Sequence, residues 1–299
     1  NGDLLTQDTA LPRAQALAIA NGRILAVGTN ADVRALSRPG TRSMDLGGKV
    51  VIPGVIDAHN HPAYSGLRHL REVDCDLRSI GAIQGVLRER AGRTPAGAWI
   101  LGFKYDDTKT AERRFLSRAD LDAVSTTHPI YVQHRGGHTA YVNSLAFERA
   151  GVTESTPDPV GGRYERDTNG RLSGRAAESA AEVIGDVAAQ PYSRADCQAG
   201  VAEISRRLAA AGITSVPDAG ASPTELQAYQ DARDAGELRT RVYSQMLAAH
   251  LDTMIAAGVR TGMGDEWVRI GSVKCLSDGS ISERTARLSE PYVGRPTDF

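Results

Sequence analysis

The first regular pattern lies in residues 1–49. Leu17 and Ile19 alternate with small residues, Asn21-Gly22 interrupts them, and Ile24, Ala26 and Val27 resume. Two short strands around Asn-Gly predict a β-hairpin with a type I′ turn, because these two residues tolerate the positive φ angles it needs. Gly47-Gly48 closes the segment. The run Val50-Val-Ile-Pro-Gly-Val-Ile56 that follows is apolar almost throughout. It reads as a strand buried on both faces, with Pro53 where the strand enters the core.

A second rhythm begins near residue 193. Ser193-Arg-Ala-Asp196 and Ser222-Pro-Thr-Glu225 are capping-box signatures, the second with proline at the first helical position. They predict helices reaching Ala211 and Gly236, separated by a strand over Ile213–Val216. Arg239–Met246 alternates as another strand, a helix follows to about Gly258, and Val268–Cys275 is a third strand. Strands alternating with helices at this spacing predict a parallel sheet with right-handed crossovers. The stretch between, about residues 62–200, has a different character and reads as an insertion. It offers strands at Ala98–Phe103 and Ile130–His134, a hairpin tip at Asn169-Gly170 and a helix over Gly174–Val187.

Composition narrows the class. Thirty-five basic against 36 acidic residues give a net charge of -1, which argues against a nucleic-acid surface or a basic membrane patch. No apolar run approaches the ~18 residues of a membrane-spanning helix. Three cysteines suit a reducing, cytoplasmic compartment better than a disulfide framework. Only four basic residues are lysines: Lys49, Lys104, Lys109 and Lys274. Each therefore invites a reason.

Asp57-Ala-His-Asn-His61 follows the apolar run. On a strand, residues i and i+2 share a side, so His59, His61 and Asp57 would project together. Two imidazoles at a strand's C-terminal end can hold a divalent metal, with Asp57 fixing their geometry from behind. The plainer alternative is a pair of surface or hydrogen-bonded histidines. Lys274 falls near the end of the last predicted strand. It can pair with Asp278, or as a neutral amine take up carbon dioxide to give a metal-bridging carbamate, which arginine cannot do. A third group is His134-Arg-Gly-Gly-His138. Its glycines let a loop approach a ligand, and Arg135 could fix a carbonyl or carboxylate; an ordinary glycine turn is the alternative. Glu178, on a predicted helix face, is an extra ligand, an acid or a solvated carboxylate.

Together these segments resemble the amidohydrolase superfamily. Asn21-Gly-Arg-Ile-Leu-Ala-Val-Gly28 and Val51-Ile-Pro-Gly-Val-Ile-Asp-Ala-His-Asn-His61 look like its N-terminal hairpin and first barrel strand. His138-Thr-Ala-Tyr-Val-Asn-Ser144, Asp158-Pro-Val-Gly-Gly162, Asn169-Gly-Arg-Leu-Ser-Gly174 with Glu178, and Lys274 through Thr285-Ala286 are similar to the branch that includes N-substituted formamide deformylase.

The resemblance implies an α/β fold, a (β/α)8 TIM-type barrel, of which about the first four βα units lie in residues 50–299. It implies that residues 1–49 form part of a small β-sandwich. It also implies one or two divalent ions, usually zinc, with His59, His61 and Lys274, the last either free or carboxylated, as ligands. Asp57 and Asp278 would support them, and Arg135, His138 and Glu178 would line the pocket. The implied reaction is metal-dependent hydrolysis of a non-peptide carbon–nitrogen bond in a small amide-like substrate. A hydrolytic deaminase and an inactive binding homologue are the alternatives, and a homo-oligomer is compatible with either. The family's catalytic aspartate and two further histidines come from later strands, beyond Phe299. A whole barrel takes ~250 residues alone, so 299 residues with an insertion predict a longer protein.

Overall fold

The computed structural model describes residues 1–281 and 283–293. Its N-terminal part holds β1 (Asp3–Leu5), β2 (Arg13–Ala14), β3 (Ala16–Ala20), β4 (Arg23–Gly28), α1 (Asn30–Arg34) and β5 (Val50–Val51). β3 and β4 form the expected hairpin, and Asn21 and Gly22 turn it with φ of 52° and 73°. β1 pairs antiparallel with β2 and parallel with β5.

The run Val50–Ile56 is not one buried strand. Pro53-Gly54 splits it into β5 and β6 (Val55–Ile56), which belong to different sheets. β6 lies at a sheet edge, and Ile56 is 71% exposed. A Cβ on Gly54 would overlap the Thr214 side chain, so the split also lets two backbones meet closely.

After β6 come α2 (Pro62–Arg71), β7 (Val73–Asp74), α3 (Ile80–Ala91), β8 (Ile100–Tyr105), α4 (Arg118–Asp122), β9 (Ile130–His134), β10 (Thr139–Val142), α5 (Ser144–Arg149), β11 (Gly162–Arg166), β12 (Leu172–Glu178) and α6 (Ser179–Ala188). The strands build one six-stranded sheet in the order β11-β12-β10-β9-β8-β7. Ile83, Leu87, Leu116 and Leu121 pack with Ile130, Val132 and Tyr141 in one core. Phe147, Ala180 and Ile184 pack with Val142, Leu172 and Ala176 in a second. The helix expected from Gly174 starts five residues later. Residues 174–177 are buried and pair with β10 and β11, so tertiary pairing overrides the helical preference of their alanines.

The last part is α7 (Arg194–Ala210), β13 (Ile213–Ala221), α8 (Pro223–Asp234), β14 (Arg241–Leu247), α9 (Leu251–Ala256) and β15 (Val268–Lys274). Both anticipated capping boxes form, at Ser193 with Asp196 and at Ser222 with Glu225. The parallel sheet runs β6-β13-β14-β15. Val201, Ile204, Leu208, Ala228 and Tyr229 from its helices cover Val216, Val242 and Val268. α2 crosses α7 where Gly66 meets Gly200, and a Cβ on Gly66 would overlap the Gly200 carbonyl. This crossing fixes the helix that starts directly after His61. Among the described residues, no helix is long and apolar enough to cross a membrane.

Candidate metal and substrate site

Residues 57–61 are a loop rather than a strand end, so the i, i+2 argument does not apply to them. The loop nevertheless brings the two rings together: the His59 and His61 centroids lie 5.2 Å apart, nearly perpendicular. Asp57 does this through the backbone and not through the rings. Its Oδ1 accepts from His59 N at 3.0 Å and its Oδ2 from Asn60 Nδ2 at 2.8 Å. The His59 amide bond, then that of Asn60, holds the Asp57 carboxyl below the usual range. His61 N donates to Asn60 Oδ1 at 2.8 Å.

His61 is exposed, with Gly220 near its ring: a Cβ there would stand 3.5 Å from Nδ1, an ordinary contact. Partial loss of water lowers the His61 pKa, and the charges of His59 and Lys274 lower it further. The ring is thus biased to the neutral form that binds metals.

Lys274 is half-buried at the end of β15, in register with Leu247 of β14. Among the described residues it has no hydrogen bond or ion pair. Among the described residues the alternative pairing with Asp278 is not formed; Asp278 Oδ2 accepts from Arg287 N at 3.0 Å. It ends a strand of the same parallel sheet whose edge strand β6 leads into the histidine loop, and its charge is felt at His61.

The second group sits on the six-stranded sheet. His138 Nδ1 lies 2.9 Å from Glu178 Oε2. Glu178 is the last residue of β12 and the N-cap of α6, not a helix-face residue, and takes φ 51° and ψ -128°. Its Oε1 is buried with no hydrogen-bond partner among the described residues. Arg135 Nη1 reaches Asp106 Oδ2 at 3.1 Å, with half its side chain open to solvent. The loop is tied to α2 through Gln133, whose Oε1 accepts from Tyr64 Oη at 3.3 Å and whose Nε2 donates to Gly137 O at 2.9 Å. A cavity of about 250 Å³ runs along α2 beside Tyr64, Arg68, Tyr131 and Tyr192, but no candidate ligand lines it.

Glu283, which the sequence did not single out, joins this group to the segment after Lys274. Its side chain is 0% exposed. Both carboxylate oxygens accept from His138 N at 3.1 Å, and Oε2 also accepts from Thr139 Oγ1 at 2.6 Å. His134 stands between two carboxylates, 3.4 Å from Glu283 and 3.6 Å from Asp107. Burial favours the neutral His134 ring, yet its bonds to Asp107 and Glu283 outweigh this and raise its pKa. Arg175 Nη2 donates to the Glu283 carbonyl at 3.0 Å. A Cβ on Gly136 would overlap Glu283 Oε1. Gly136→Ala is therefore expected to destabilise the protein by about 1–3 kcal/mol, the usual cost of overpacking, read as a lower urea midpoint.

Asp106, Asp107 and His134 also place donor atoms within 4.8 Å of one another. Their donor atoms are engaged by protein partners: Asp106 by Arg135 and Thr108, and Asp107 by His134. The catalytic base, expected beyond Phe299, lies outside the described residues.

Two histidines lie in the loop after an edge strand of a parallel sheet, and a lysine that has no ion pair among the described residues ends another of its strands. Together they make a candidate metal site on an α/β fold. The chain is a member of the Amidohydrolase family, whose model matches residues 42–298. It is 30% identical over 244 residues to N-substituted formamide deformylase of Arthrobacter pascens, covering 80% of this chain and 45% of that protein. Over 74 residues, 24% of the chain, it is 45% identical to a 5-methylthioadenosine/S-adenosylhomocysteine deaminase of Syntrophobacter fumaroxidans, covering 17% of that protein. The crystal structure of an uncharacterised metal-dependent hydrolase from Pyrococcus furiosus superposes with a TM-score of 0.67 at 25% identity, over 99% of this chain and 59% of that one. The chain spans about half the length of the curated relatives it matches.

Proposed function

We propose that this chain carries the first metal ligands of a hydrolase that cleaves a non-peptide carbon–nitrogen bond of amide or N-formyl type, with zinc as the metal. The observation that carries the reading is the His59–His61 ring pair, on the same parallel sheet as a lysine that has no anionic partner among the described residues. Neutral imidazoles and a carboxylated lysine form a donor set suited to one or two zinc ions. The parallel sheet is then the first half of a (β/α)8 barrel, and the N-terminal strands are part of its β-sandwich.

Zinc held by His59, His61 and Lys274 would supply Lewis acidity toward a water and a scissile carbonyl. The chain's own residues do the rest of what these elements can do. Asp57 and Asn60 fix the loop that holds the two rings 5.2 Å apart. Arg135, braced by Asp106, keeps donors free for a substrate carbonyl or carboxylate. Glu178 holds one nitrogen of His138, which leaves the other for a polar group of the substrate. The relative named as a formamide deformylase, matched over most of this chain, favours the amide reading over a deaminase, whose match is confined to a quarter of it.

Protein purified without chelator is expected to contain zinc, and the double variant His59→Ala/His61→Ala to lose it. Unchanged metal content in the double variant, measured by elemental analysis, would overturn the ligand assignment. Turnover of N-formyl amines, and not of amino-substituted purines, separates the hydrolase from the deaminase. Zinc binding without either activity would point to a binding homologue.

A further inference from the structure

We infer that Asp218 and Tyr229 are positioning residues that hold His61 in its metal-binding place, an inference that rests on His59 and His61 being metal ligands. The loop that carries them is laid along β13. Asp57 N donates to Ser215 O at 3.0 Å, and Ala219 N donates to Asn60 O at 2.8 Å. The third anchor uses side chains. Ala63 N donates to Tyr229 Oη at 2.8 Å, and Tyr229 Oη donates to Asp218 Oδ2 at 2.6 Å.

The chemistry of helix starts explains why this anchor matters. The first amides of a helix have no partner within it, and an N-cap side chain usually accepts from the second or third. His61 is the N-cap of α2, and it makes no side-chain cap bond. Pro62 has no amide to satisfy, so Ala63 offers the first one. Tyr229 takes that amide in place of the capping side chain and leaves the His61 imidazole free to turn away from the helix. Asp218 orients the phenol by accepting its proton, so its lone pair faces Ala63. Asp218 and Tyr229 are 2% and 1% exposed, and water does not replace either partner. Two residues after Asp218, Gly220 lies near the His61 ring, so the same strand end meets both the loop backbone and the ring.

The test measures zinc affinity by chelator competition, the visible spectrum of the cobalt-substituted protein, and the urea midpoint. Tyr229→Phe removes the hydroxyl and keeps the ring; its zinc affinity is expected to fall roughly tenfold, the lower range for loss of a group supporting a ligand, with a changed cobalt spectrum. Asp218→Ala carries the same expectation. Val201→Ala, a core change in the same cluster, is expected to lower the urea midpoint and leave affinity and spectrum alone. Wild-type affinity and spectrum in Tyr229→Phe would overturn the inference, as would an equal loss in Val201→Ala. If neither Tyr229→Phe nor Asp218→Ala yields folded protein, the pair is a folding element and the inference also falls. Retention of zinc by His59→Ala/His61→Ala would instead remove the ligand reading beneath it.

Discussion

Lys274→Ala is expected to lower turnover at least ~100-fold, since loss of a group that merely supports a ligand already costs 10–100-fold. A protonated lysine beside a divalent ion is repelled, and in the structure it has no carboxylate to offset that repulsion among the described residues. Its charge already disfavours protonation of His61. Addition of carbon dioxide to the neutral amine, with release of one proton, turns the same side chain into an anion with two oxygen donors. Short-chain carboxylic acids fit the gap left by alanine and supply the same donor group, so partial restoration of activity by acetate or propionate is expected. Lys274→Arg fills the volume and cannot be carboxylated; it is expected to be as inactive as alanine and not to respond to added acid. Full activity in Lys274→Arg would show that the position needs only a positive charge.

What the sequence revealed and what it hid divide by the range of the interaction. Ser193 and Ser222 announced their helices because a capping box acts over three residues, and Asn21-Gly22 announced its hairpin for the same reason. Lys274 stood out through the scarcity of lysine and its place at a strand end. The strand at Val50–Ile56 was misjudged because an apolar run says nothing about which sheet receives it, and Pro53-Gly54 sends its halves to two. Proximity in sequence offers Asp278 as one possible partner of Lys274, whereas the chain turns it back toward the Arg287 amide. Glu283 and Tyr229 were invisible for a different reason. Their partners lie 145 and 166 residues away, at His138 and Ala63. An isolated Ser-Glu-Arg or Ala-Tyr-Gln carries no local trace of such a contact.

Asp218→Asn is expected to stabilise the protein at neutral and alkaline pH and to matter far less near pH 4. Burial drives the Asp218 pKa up from 3.8 to about 7; the hydrogen bond from Tyr229 opposes this, and the nearby charge of Glu225 adds to it. The folded state therefore holds a proton that the unfolded chain has released between these two values. Where the folded state binds more protons, stability falls as pH rises. The fall begins near pH 4, is complete above the folded pKa, and corresponds to ~4 kcal/mol at 1.36 kcal/mol per pKa unit. Asparagine keeps an acceptor for the Tyr229 hydroxyl and carries no charge to bury, so it removes this dependence. Other titrating groups, such as Asp120 with its pKa lowered to about 2 against Arg114, contribute equally to both proteins and cancel in the difference. Urea unfolding of wild type and Asp218→Asn at intervals from pH 4 to 8 is expected to give a gap that widens in favour of asparagine and levels off above pH 7. A gap independent of pH would mean that Asp218 stays ionised in the folded protein, its charge carried by Tyr229 alone.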